Sequence, residues 1–391
     1  MQIIVPDISS LDEIKPIQNP LKPFDKDVLD FINDLSKKLL KHKNAKEYPE
    51  LVALGFWMRA SHIKRIEADF VKRAQDKIRV ARGVVFHISP TNVDTIFVYS
   101  LLLSLLVGNT NILRVSDKKN TQTEILIDLI KETLHSYKTL HNRIFIIRYA
   151  HEEEINTKLS MLCDVRVIWG GDTTIQSIRA IPIKPTANEL VFADKFSIMA
   201  IDAKDTVFDE KFFELLYRDS FTFMQNACSS IRAIAWIDAS QEIKERFWDR
   251  FSHYVLKQQP DIEPKNIMDK LVAQNSLAIE NSTLKIENLN ILTRVQLSSL
   301  DEIDENKHCG FGLFYEMDID SLRDIFHFST KKHQTLILSG FNKEKVTALL
   351  KEINPKGIDR VVSVGKAMEF SPVWDGYELL DSFCRIIDVD I

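Results

Sequence analysis

The sequence predicts an α/β protein made of two α/β domains. Short β-rich runs alternate with helix-length amphipathic stretches between residues 83 and 201, and the alternation resumes after residue 208. This pattern is typical of parallel sheets whose strands are joined by helical crossovers. With 391 residues, of which 45% are hydrophobic and 27% charged, the chain has enough apolar side chains to fill two extended cores.

Residues 1–80 are predicted to form an N-terminal helical segment that packs on the first domain. After Asp25, large apolar side chains recur at three- and four-residue spacing, which places them on one face of a helix. These side chains are Val28, Phe31, Ile32, Leu35 and Leu39. A second helical stretch is predicted over about residues 50–76. Neither stretch carries reactive side chains in a pattern, so we expect a packing or oligomer-forming role.

Residues 81–205 form the first predicted α/β domain. Its predicted strands cover residues 83–88, 111–115, 143–148 and 165–169, and its predicted helices cover residues 94–107, 121–137, 152–162 and 173–180. Because ligands bind at the carboxyl ends of the strands in such sheets, the residues that follow each strand are candidate ligand contacts.

Residues 206–365 form the second predicted domain. A helix to about residue 224, a strand at 231–237 and a helix at 241–257 come first, and a strand at 313–317, a helix to 328 and a strand at 334–338 come last. Between residues 260 and 309 the pattern predicts no clear element. Residues 366–391 are predicted to form a return segment and a final strand at 385–389, which adds to a sheet edge in this chain or in another subunit.

Composition excludes several classes of protein. The net charge of −5 comes from 56 acidic and 51 basic residues without a basic block, so nucleic acid is not an expected partner. The four cysteines form no Cys-x-x-Cys pair, which argues for a reducing, cytoplasmic location and against a metal site. No secretory signal is visible, and the longest apolar run, residues 96–107, is shorter than the roughly 20 residues that span a bilayer.

Candidate ligand residues follow three of the predicted strands. No Gly-x-Gly-x-x-Gly pattern follows the first strand, which instead ends in Ser89-Pro90-Thr91-Asn92. The second ends in Arg114-Val115-Ser116, and the fourth leads into Gly170-Gly171 at the start of a helix, where a phosphate is favoured. Each feature alone is more consistent with an ordinary turn than with a ligand contact. Three of them at one sheet edge favour a ligand site.

Cys228 lies in a small polar loop, residues 225–230, between a predicted helix and a predicted strand. A solvent-accessible cysteine can act as a nucleophile, although cysteines are more often small buried hydrophobes. Cys163 and Cys384 lie in apolar stretches and are predicted to be structural. His308 and Cys309 form a second candidate pair, but neighbouring residues on a strand point to opposite faces.

Three motifs in order, at residues 83–90, 108–114 and 225–230, resemble the long-chain acyl-CoA reductases of bacterial bioluminescence, a family of the aldehyde dehydrogenase superfamily. Segments 357–362 and 374–377 resemble the same family, and the similarity extends from about residue 48 to the C-terminus. The resemblance implies an aldehyde dehydrogenase-like fold. In it, residues 81–205 are a Rossmann-like NADP-binding domain, residues 206–365 a catalytic domain, and the C-terminal strand an oligomerisation element.

The resemblance also implies roles for single residues. Cys228 becomes the nucleophile, and Asn92, in a match to the superfamily's Pro-Trp-Asn motif, becomes the oxyanion donor. Arg114 occupies the position of the superfamily lysine that contacts the adenosine ribose. Gly170-Gly171 occupies the position of a superfamily turn that meets the pyrophosphate or the nicotinamide. The predicted cofactor contacts are Ser89, Pro90, Thr91, Arg114, Ser116, Gly170 and Gly171.

The function implied is NADPH-dependent reduction of a fatty acyl-CoA to the aldehyde through an acyl-cysteine. Lys118 and Lys119 favour a 2′-phosphate whereas Asp117 opposes it, so NADH is the alternative cofactor. Hydrolytic members of the superfamily carry a glutamate base upstream of the cysteine, and here only Glu189 and Asp194 lie in that region. A transfer between thiols needs no base that activates water, so this departure agrees with a thioester substrate.

Two alternatives stay open on the sequence. One is a protein of the same fold that accepts or transfers acyl groups without reducing them. The other is a reductase of an acyl phosphate or an acyl-carrier-protein thioester. The expected partners are an acyl-CoA, an acyl-activating synthetase and further copies of the chain.

Overall fold

The computed structural model describes residues 1–44, 47–74, 77–90, 93–150, 152–258 and 263–390. The chain divides into two compact units: residues 1–194 and 370–391 form unit 1, and residues 195–369 form unit 2. The sequence-based boundary after residue 205 differs from this division, because the strand at residues 196–202 pairs with strands of unit 2. Each unit contains a largely parallel sheet with helices, so the predicted α/β class is confirmed.

Most helices and strands of unit 1 lie in residues 1–194, before unit 2. In chain order these are β1 (Gln2–Val5), α1 (Lys26–Lys41), α2 (Pro49–Trp57), α3 (Ala60–Ala74), β2 (Ile78–Ala81), β3 (Val84–Ile88), α4 (Ile96–Leu106), β4 (Thr110–Val115), α5 (Thr121–Leu134), β5 (Ile144–Arg148), α6 (Glu153–Leu162), β6 (Val165–Trp169), α7 (Asp172–Arg179) and β7 (Asn188–Phe192).

The main sheet of unit 1 has the strand order β1-β5-β4-β3-β6-β7. All its pairs are parallel except β1 with β5. The chain proceeds from β3 to one side through β4 and β5, and then crosses to the other side at β6. This reversal is the topological switch point at which α/β sheets bind ligands. Helices α4 and α5 pack on one face and α6 and α7 on the other, in two separate apolar cores.

The N-terminal residues differ from the prediction in two respects. Two helices, α2 and α3, replace the single helix expected over residues 50–76, and Met58-Arg59 separates them. Residues 75 and 76 lie outside the described residues. The segment also contains two strands, of which β1 extends the main sheet. Outside this segment, β7 was not predicted, because it begins with the polar Asn188 and Glu189 and only Leu190 and Phe192 of its five residues are buried.

Unit 2 contains the next twelve elements. They are β8 (Phe196–Asp202), α8 (Glu210–Phe221), β9 (Ile231–Ile237), α9 (Gln241–Gln258), α10 (Pro264–Glu280), β10 (Lys285–Leu289), β11 (Leu292–Gln296), β12 (Leu313–Asp318), α11 (Leu322–Phe328), β13 (His333–Ser339), α12 (Lys343–Ile353) and β14 (Arg360–Ser363). The stretch where the sequence predicted no clear element contains α10, β10 and β11.

The sheet of unit 2 has the order β10-β11-β12-β9-β8-β13-β14, and only β10 runs antiparallel to its neighbour. Successive residues of β8 alternate between two cores, with Ile198 and Ala200 in one and Met199 and Ile201 in the other. Helices α8 and α9 cover one face, and α10, α11 and α12 cover the other. The sheet is therefore buried on both sides, as a parallel sheet requires.

The C-terminal residues return to unit 1. They form β15 (Val373–Trp374), β16 (Tyr377–Glu378), α13 (Leu379–Ser382) and β17 (Cys384–Ile387). The predicted final strand, residues 385–389, overlaps β17, which pairs antiparallel with β2 of the same chain. Its use in an oligomer stays a prediction. Over the residues that the structure covers, no helix has both the length and the apolar character needed to cross a bilayer.

Candidate active site

The carboxyl edge of the unit 1 sheet brings together most of the predicted cofactor contacts. Strands β4, β3 and β6 are adjacent and parallel, so the residues that follow them meet at one edge. Ser89-Pro90 follows β3, Ser116 follows β4, and Gly170-Gly171 follows β6. Thr91 and Asn92 lie outside the described residues. The edge between β3 and β6 is also the switch point of the sheet.

Ser89 has an unusual environment at this edge. Its side chain is buried, with 6% of the residue exposed, and its Oγ has no hydrogen-bond partner in the part of the chain that the structure describes. Its backbone N–H donates to Arg114 O at 3.4 Å, which ties the end of β3 to β4. Because buried hydroxyl groups are normally hydrogen-bonded, the Ser89 Oγ is available to bond with a ligand group.

The Gly170-Gly171 turn leaves space at the start of α7. Gly171 is the N-cap residue and provides no side-chain cap, and a Cβ added to it would meet no heavy atom within 4 Å. A Cβ added to Gly170 would lie 3.3 Å from Thr174. Neither glycine has a positive φ. Neither backbone conformation nor contacts within the protein require glycine at position 171, and the open space beside it suits close approach of an anionic group to the helix N-terminus.

Arg114 and Ser116 lie at the end of β4 but are engaged within the protein. The Arg114 side chain is buried, donates to Ala150 O at 3.2 Å, and lies 5.6 Å from the Tyr149 ring centroid. Burial lowers the pKa of Arg114. The Ser116 Oγ accepts from the Lys118 N–H at 3.2 Å. The exposed side chains of this turn are Asp117, Lys118 and Lys119, so both signs of charge are present where a 2′-phosphate would be recognised.

A buried polar chain leads from Trp169, the residue before Gly170, into the sheet. Trp169 Nε1 donates to Ser100 Oγ at 3.3 Å, and His87 lies between Ser100 Oγ, at 2.8 Å, and Asn111 Oδ1, at 3.0 Å. Since an amide oxygen only accepts, His87 Nε2 carries the proton and Nδ1 accepts from the serine hydroxyl. Burial lowers the pKa of His87 to about 4. The ring is neutral near pH 7 and holds Trp169 through Ser100.

We expect His87 to make the protein less stable as the pH falls from about 6.5 to 4. In this window an unfolded histidine, with a pKa near 6.5, binds a proton that the folded His87 does not bind, so the free energy of unfolding falls with pH. The thermal midpoint of His87→Gln should therefore depend less steeply on pH than that of the wild type. The exposed His253 provides the control, and His253→Gln should keep the wild-type slope. Equal slopes for all three proteins would contradict the prediction.

In unit 2, Cys228 lies in the loop between α8 and β9, at the amino edge of the sheet. Met224 and Gln225 both have positive φ, 51° and 62°, which turns the chain sharply after the helix. The thiol residue is half-buried. The Ser197 hydroxyl on the neighbouring strand β8 donates to Cys228 O at 2.7 Å. The backbone around Cys228 is thus fastened to the sheet while the residue stays partly open to solvent.

Gln225 fixes this loop, and sequence reasoning gave it no role. Its buried side-chain amide donates to Ile231 O at 2.9 Å and to Leu313 O at 3.0 Å, and its Oε1 accepts from the Gly312 N–H at 2.6 Å. Gln225 thereby joins the cysteine loop to the starts of β9 and β12. The only available sequence signal was a long polar side chain in a loop of small residues.

A glycine turn at residues 310–312 packs against the cysteine loop. All three residues have positive φ, and the Phe311 N–H donates to Met224 O at 3.1 Å. A Cβ on Gly310 would lie 2.9 Å from the same carbonyl oxygen. Glycine at position 310 is therefore required both by its conformation and by this close approach. The turn at residues 310–312 therefore packs against the loop that carries Cys228 and supports it.

The alternative pair, His308 and Cys309, does not have the geometry of a nucleophile and base. The two residues lie in the loop before β12 rather than on a strand. His308 Nε2 donates to Leu313 O at 2.8 Å and Nδ1 accepts from the Gly310 N–H at 3.2 Å, so both ring nitrogens are used. Desolvation and the Arg232 charge lower the pKa of His308 to about 3, and burial raises that of Cys309 to about 11.

The remaining candidates serve the structure. Cys163 and Cys384 are buried, as the sequence indicated, and burial raises the pKa of both thiols to about 12. Glu189 Oε2 accepts from Arg166 Nε at 2.8 Å, and its Oε1 lies 3.0 Å from Arg179 Nε. Glu189 is therefore committed to two ion pairs. Over the described ranges, no group of three His, Cys, Asp or Glu side chains is placed to hold a metal ion.

Comparisons with known proteins identify the class of fold. A model of the acyl-CoA reductase (LuxC) family matches residues 69–386. A lactaldehyde dehydrogenase structure is 13% identical with a TM-score of 0.65, over 93% of this chain and 86% of that one. An NAD-dependent benzaldehyde dehydrogenase from Corynebacterium glutamicum is 14% identical with a TM-score of 0.64, over 92% and 84%. PnpE in complex with nicotinamide adenine dinucleotide is 13% identical with a TM-score of 0.65, over 93% and 84%.

A search of curated protein sequences found no match. At such low identities the solved structures show the fold alone, and the predicted aldehyde dehydrogenase-like fold is confirmed.

Proposed function

The chain belongs to the acyl-CoA reductase (LuxC) family, and from that membership we propose that it reduces a fatty acyl-CoA to the aldehyde through an acyl-cysteine on Cys228. The placement of Cys228 carries this proposal: it is half-buried in a loop fastened by Gln225 and Ser197. Cys163 and Cys384 are buried, and the Cys309 thiol has a raised pKa without a free base beside it.

The chain's own residues carry out the acyl transfer. The Cys228 thiolate attacks the thioester carbonyl, the coenzyme A thiolate leaves with the electron pair of the broken C–S bond, and the acyl group stays on Cys228. The family resemblance assigns the developing oxyanion to the Cys228 backbone N–H and the Asn92 amide, and the Asn92 role stays a prediction. No step requires a carboxylate that activates water, in agreement with the ion pairs that occupy Glu189.

The carboxyl edge of unit 1 fits a dinucleotide. The buried Ser89 hydroxyl offers a hydrogen bond, and the open Gly171 at the uncapped start of α7 offers room for a pyrophosphate. Ser89, Pro90, Gly170 and Gly171 would hold it, with Arg114 and Ser116 beside them. A reduced nicotinamide cofactor, when bound, supplies the hydride that converts the acyl carbon to the aldehyde. We propose NADPH, with Lys118 and Lys119 at the 2′-phosphate and NADH as the alternative.

Substitution of Gly171 tests this cofactor turn. Gly171→Val should fold normally, because a Cβ there meets nothing within 4 Å, but its side chain would occupy the space assigned to the pyrophosphate. We expect the KM for the nucleotide to rise by about tenfold or more, which corresponds to about 1.4 kcal/mol, with little change in the thermal midpoint. Ser177→Val, on the exposed surface of the same helix, is the matched control. A normal nucleotide KM in Gly171→Val would show that the turn has another role.

The reaction itself is tested by spectrophotometric assay of NADPH and NADH oxidation. The purified chain is given acyl-CoAs of increasing length and, in parallel, acyl phosphates and acyl-carrier-protein thioesters. We expect oxidation with a fatty acyl-CoA and formation of the aldehyde. Oxidation only with one of the other donors would change the substrate class. Acylation without oxidation of either nucleotide would identify the chain as an acyl-accepting protein and contradict the proposal.

A further inference from the structure

The turn that follows β14, residues 363–369, is fastened to the end of α8 by a fully buried carboxylate. Asp219 is 0% exposed, and its Oδ2 accepts from the Gly365 N–H at 2.5 Å and its Oδ1 from the Ala367 N–H at 3.2 Å. Arg218, the residue before it, donates to Gly365 O. Because a buried carboxylate is costly unless its oxygens are hydrogen-bonded, Asp219 binds the turn in one position.

Two further features fix the same turn. Gly365 has a φ of +87°, and a Cβ added to it would lie 2.5 Å from Leu215 Cδ2 on α8. Arg360, at the start of β14, donates to three carbonyl oxygens of residues 366–369, at 2.9, 2.9 and 3.0 Å. The turn therefore folds back along β14 and packs closely on α8.

Met368 places this turn against the loop that carries Cys228. The Ser229 hydroxyl donates to Met368 Sδ at 3.7 Å, and Ser229 itself is 2% exposed. Met368 is half-buried and packs on the core that contains Phe221. Since Ser229 adjoins Cys228 in the chain, Met368 lies beside the nucleophile loop and keeps part of its surface open.

A methionine in this place suits an alkyl chain. Met224, which precedes the same loop, is also half-buried and packs on the same core. Methionine side chains are unbranched, flexible and polarizable, so they adapt to apolar groups of different length. An acyl group bonded to the Cys228 Sγ carries an alkyl chain whose removal from water is favourable, and Met368 offers it an apolar surface next to that loop.

We propose that Met368 contacts the alkyl chain of the acyl group on Cys228, and that Asp219 is a positioning residue that holds Met368 there through the turn. This contact rests on the acyl-cysteine of the proposed function, and it adds the residues that distinguish long acyl chains from short ones. Asp219 touches no reactant, because its two oxygens bind the Gly365 and Ala367 N–H groups.

Protonation of Asp219 gives this role a pH dependence. Burial raises the pKa of Asp219 to about 6, although the two N–H groups and the charges of Arg218 on its own helix and Arg360 on β14 lower it. A protonated carboxyl group keeps one oxygen as an acceptor, while the other carries the proton, so one N–H of the turn loses its partner. The contact with the alkyl chain should therefore weaken as the pH falls below about 6.

Labelling of Cys228 with octyl and ethyl methanethiosulfonate tests the contact without coenzyme A or a nucleotide. The thiolate attacks the alkyl-bearing sulfur, a mixed disulfide forms, and methanesulfinate leaves with the electron pair of the broken S–S bond. Peptide mass measures the rate at Cys228. The ratio of octyl to ethyl rates cancels the ionisation of the thiol, which affects both reagents equally.

We expect the wild type to favour the octyl reagent and Met368→Ala to lower the octyl-to-ethyl ratio by about tenfold, as loss of apolar contact in a specificity pocket does. Met368 is only half-buried, so the variant should fold. Met268→Ala, at a methionine of α10 that is 56% exposed, is the matched control and should keep the wild-type ratio. An unchanged ratio in Met368→Ala would overturn the proposal, whether or not Asp219 variants fold.

Asp219→Asn tests the positioning role. In the wild type the ratio should fall below about pH 6, whereas in Asp219→Asn it should be low at every pH, since the amide offers the turn one acceptor oxygen throughout. A pH dependence that Asp219→Asn retains would overturn the role of Asp219. Expected ratios together with no nucleotide oxidation by any acyl donor would contradict the proposed reduction and support the contact, so the two failures are distinguishable.

Discussion

Cys228→Ala is expected to abolish acyl reduction while leaving the fold intact. The thiol is the only proposed carrier of the acyl group, and removal of a nucleophile that acts within a fixed constellation lowers turnover by about a thousandfold or more. The residue is half-buried in a loop held by Gln225 and Ser197, so loss of one small side chain should change the thermal midpoint little. Nucleotide oxidation with a fatty acyl-CoA measures the effect.

Cys309→Ala is the matched control for this prediction. Cys309 is also half-buried and lies in the neighbouring loop, but burial raises the pKa of its thiol to about 11. The variant should keep most of the wild-type turnover. If Cys309→Ala were inactive and Cys228→Ala active, the nucleophile would be wrongly assigned.

Glu316→Ala is expected to cost the largest amount of stability of any single substitution considered. Glu316 is 3% exposed on β12, where its Oε1 accepts from the indole N–H groups of Trp236 and Trp248, both at 2.7 Å. Its Oε2 pairs with Arg294, which is 1% exposed. Removal of the carboxylate leaves the buried indole N–H groups of Trp236 and Trp248 without this acceptor. It also removes the buried partner of the Arg294 guanidinium. The free energy of unfolding should fall by about 3–5 kcal/mol.

Glu287→Ala provides the contrast. Glu287 pairs with the same Arg294 at 3.0 Å, but its side chain is 31% exposed, and a partly exposed ion pair contributes about 1 kcal/mol or less. A double variant, Glu316→Leu with Arg294→Met, should recover the part of the loss that comes from the unpaired charge, because it removes the buried guanidinium together with its partner, while the indole N–H groups of Trp236 and Trp248 stay without their acceptor. Urea denaturation followed by circular dichroism compares the midpoints. Similar losses for Glu316→Ala and Glu287→Ala would contradict the burial argument.

The fold was predictable where burial is uniform. Strands such as β3, β5 and β9 are buried at every position, so their sequences are short, largely apolar runs that are easy to recognise. Helix α10 was missed for a related reason. It is apolar on both its buried and its exposed face, so the contrast between faces that marks an amphipathic helix is weak.

The candidate site was predictable only in part. The strand-end residues Ser89, Gly170 and Gly171 follow from the alternation of strands and helices, since the carboxyl ends of adjacent parallel strands must meet. The supports of Cys228 do not follow. Gln225 reaches Leu313, 88 residues further along, and the turn at Gly310 returns to Met224. Contacts of this kind depend on the register of β9 beside β12, which a single sequence does not specify.

Intact-mass measurement of the chain after incubation with a fatty acyl-CoA, without a nicotinamide nucleotide, tests the proposed function most directly. We predict the addition of one acyl group, located on the peptide that contains Cys228, removed by hydroxylamine and released as aldehyde when NADPH is added. An absent adduct, or an adduct on Cys309 with Cys228 unmodified, would contradict the proposal.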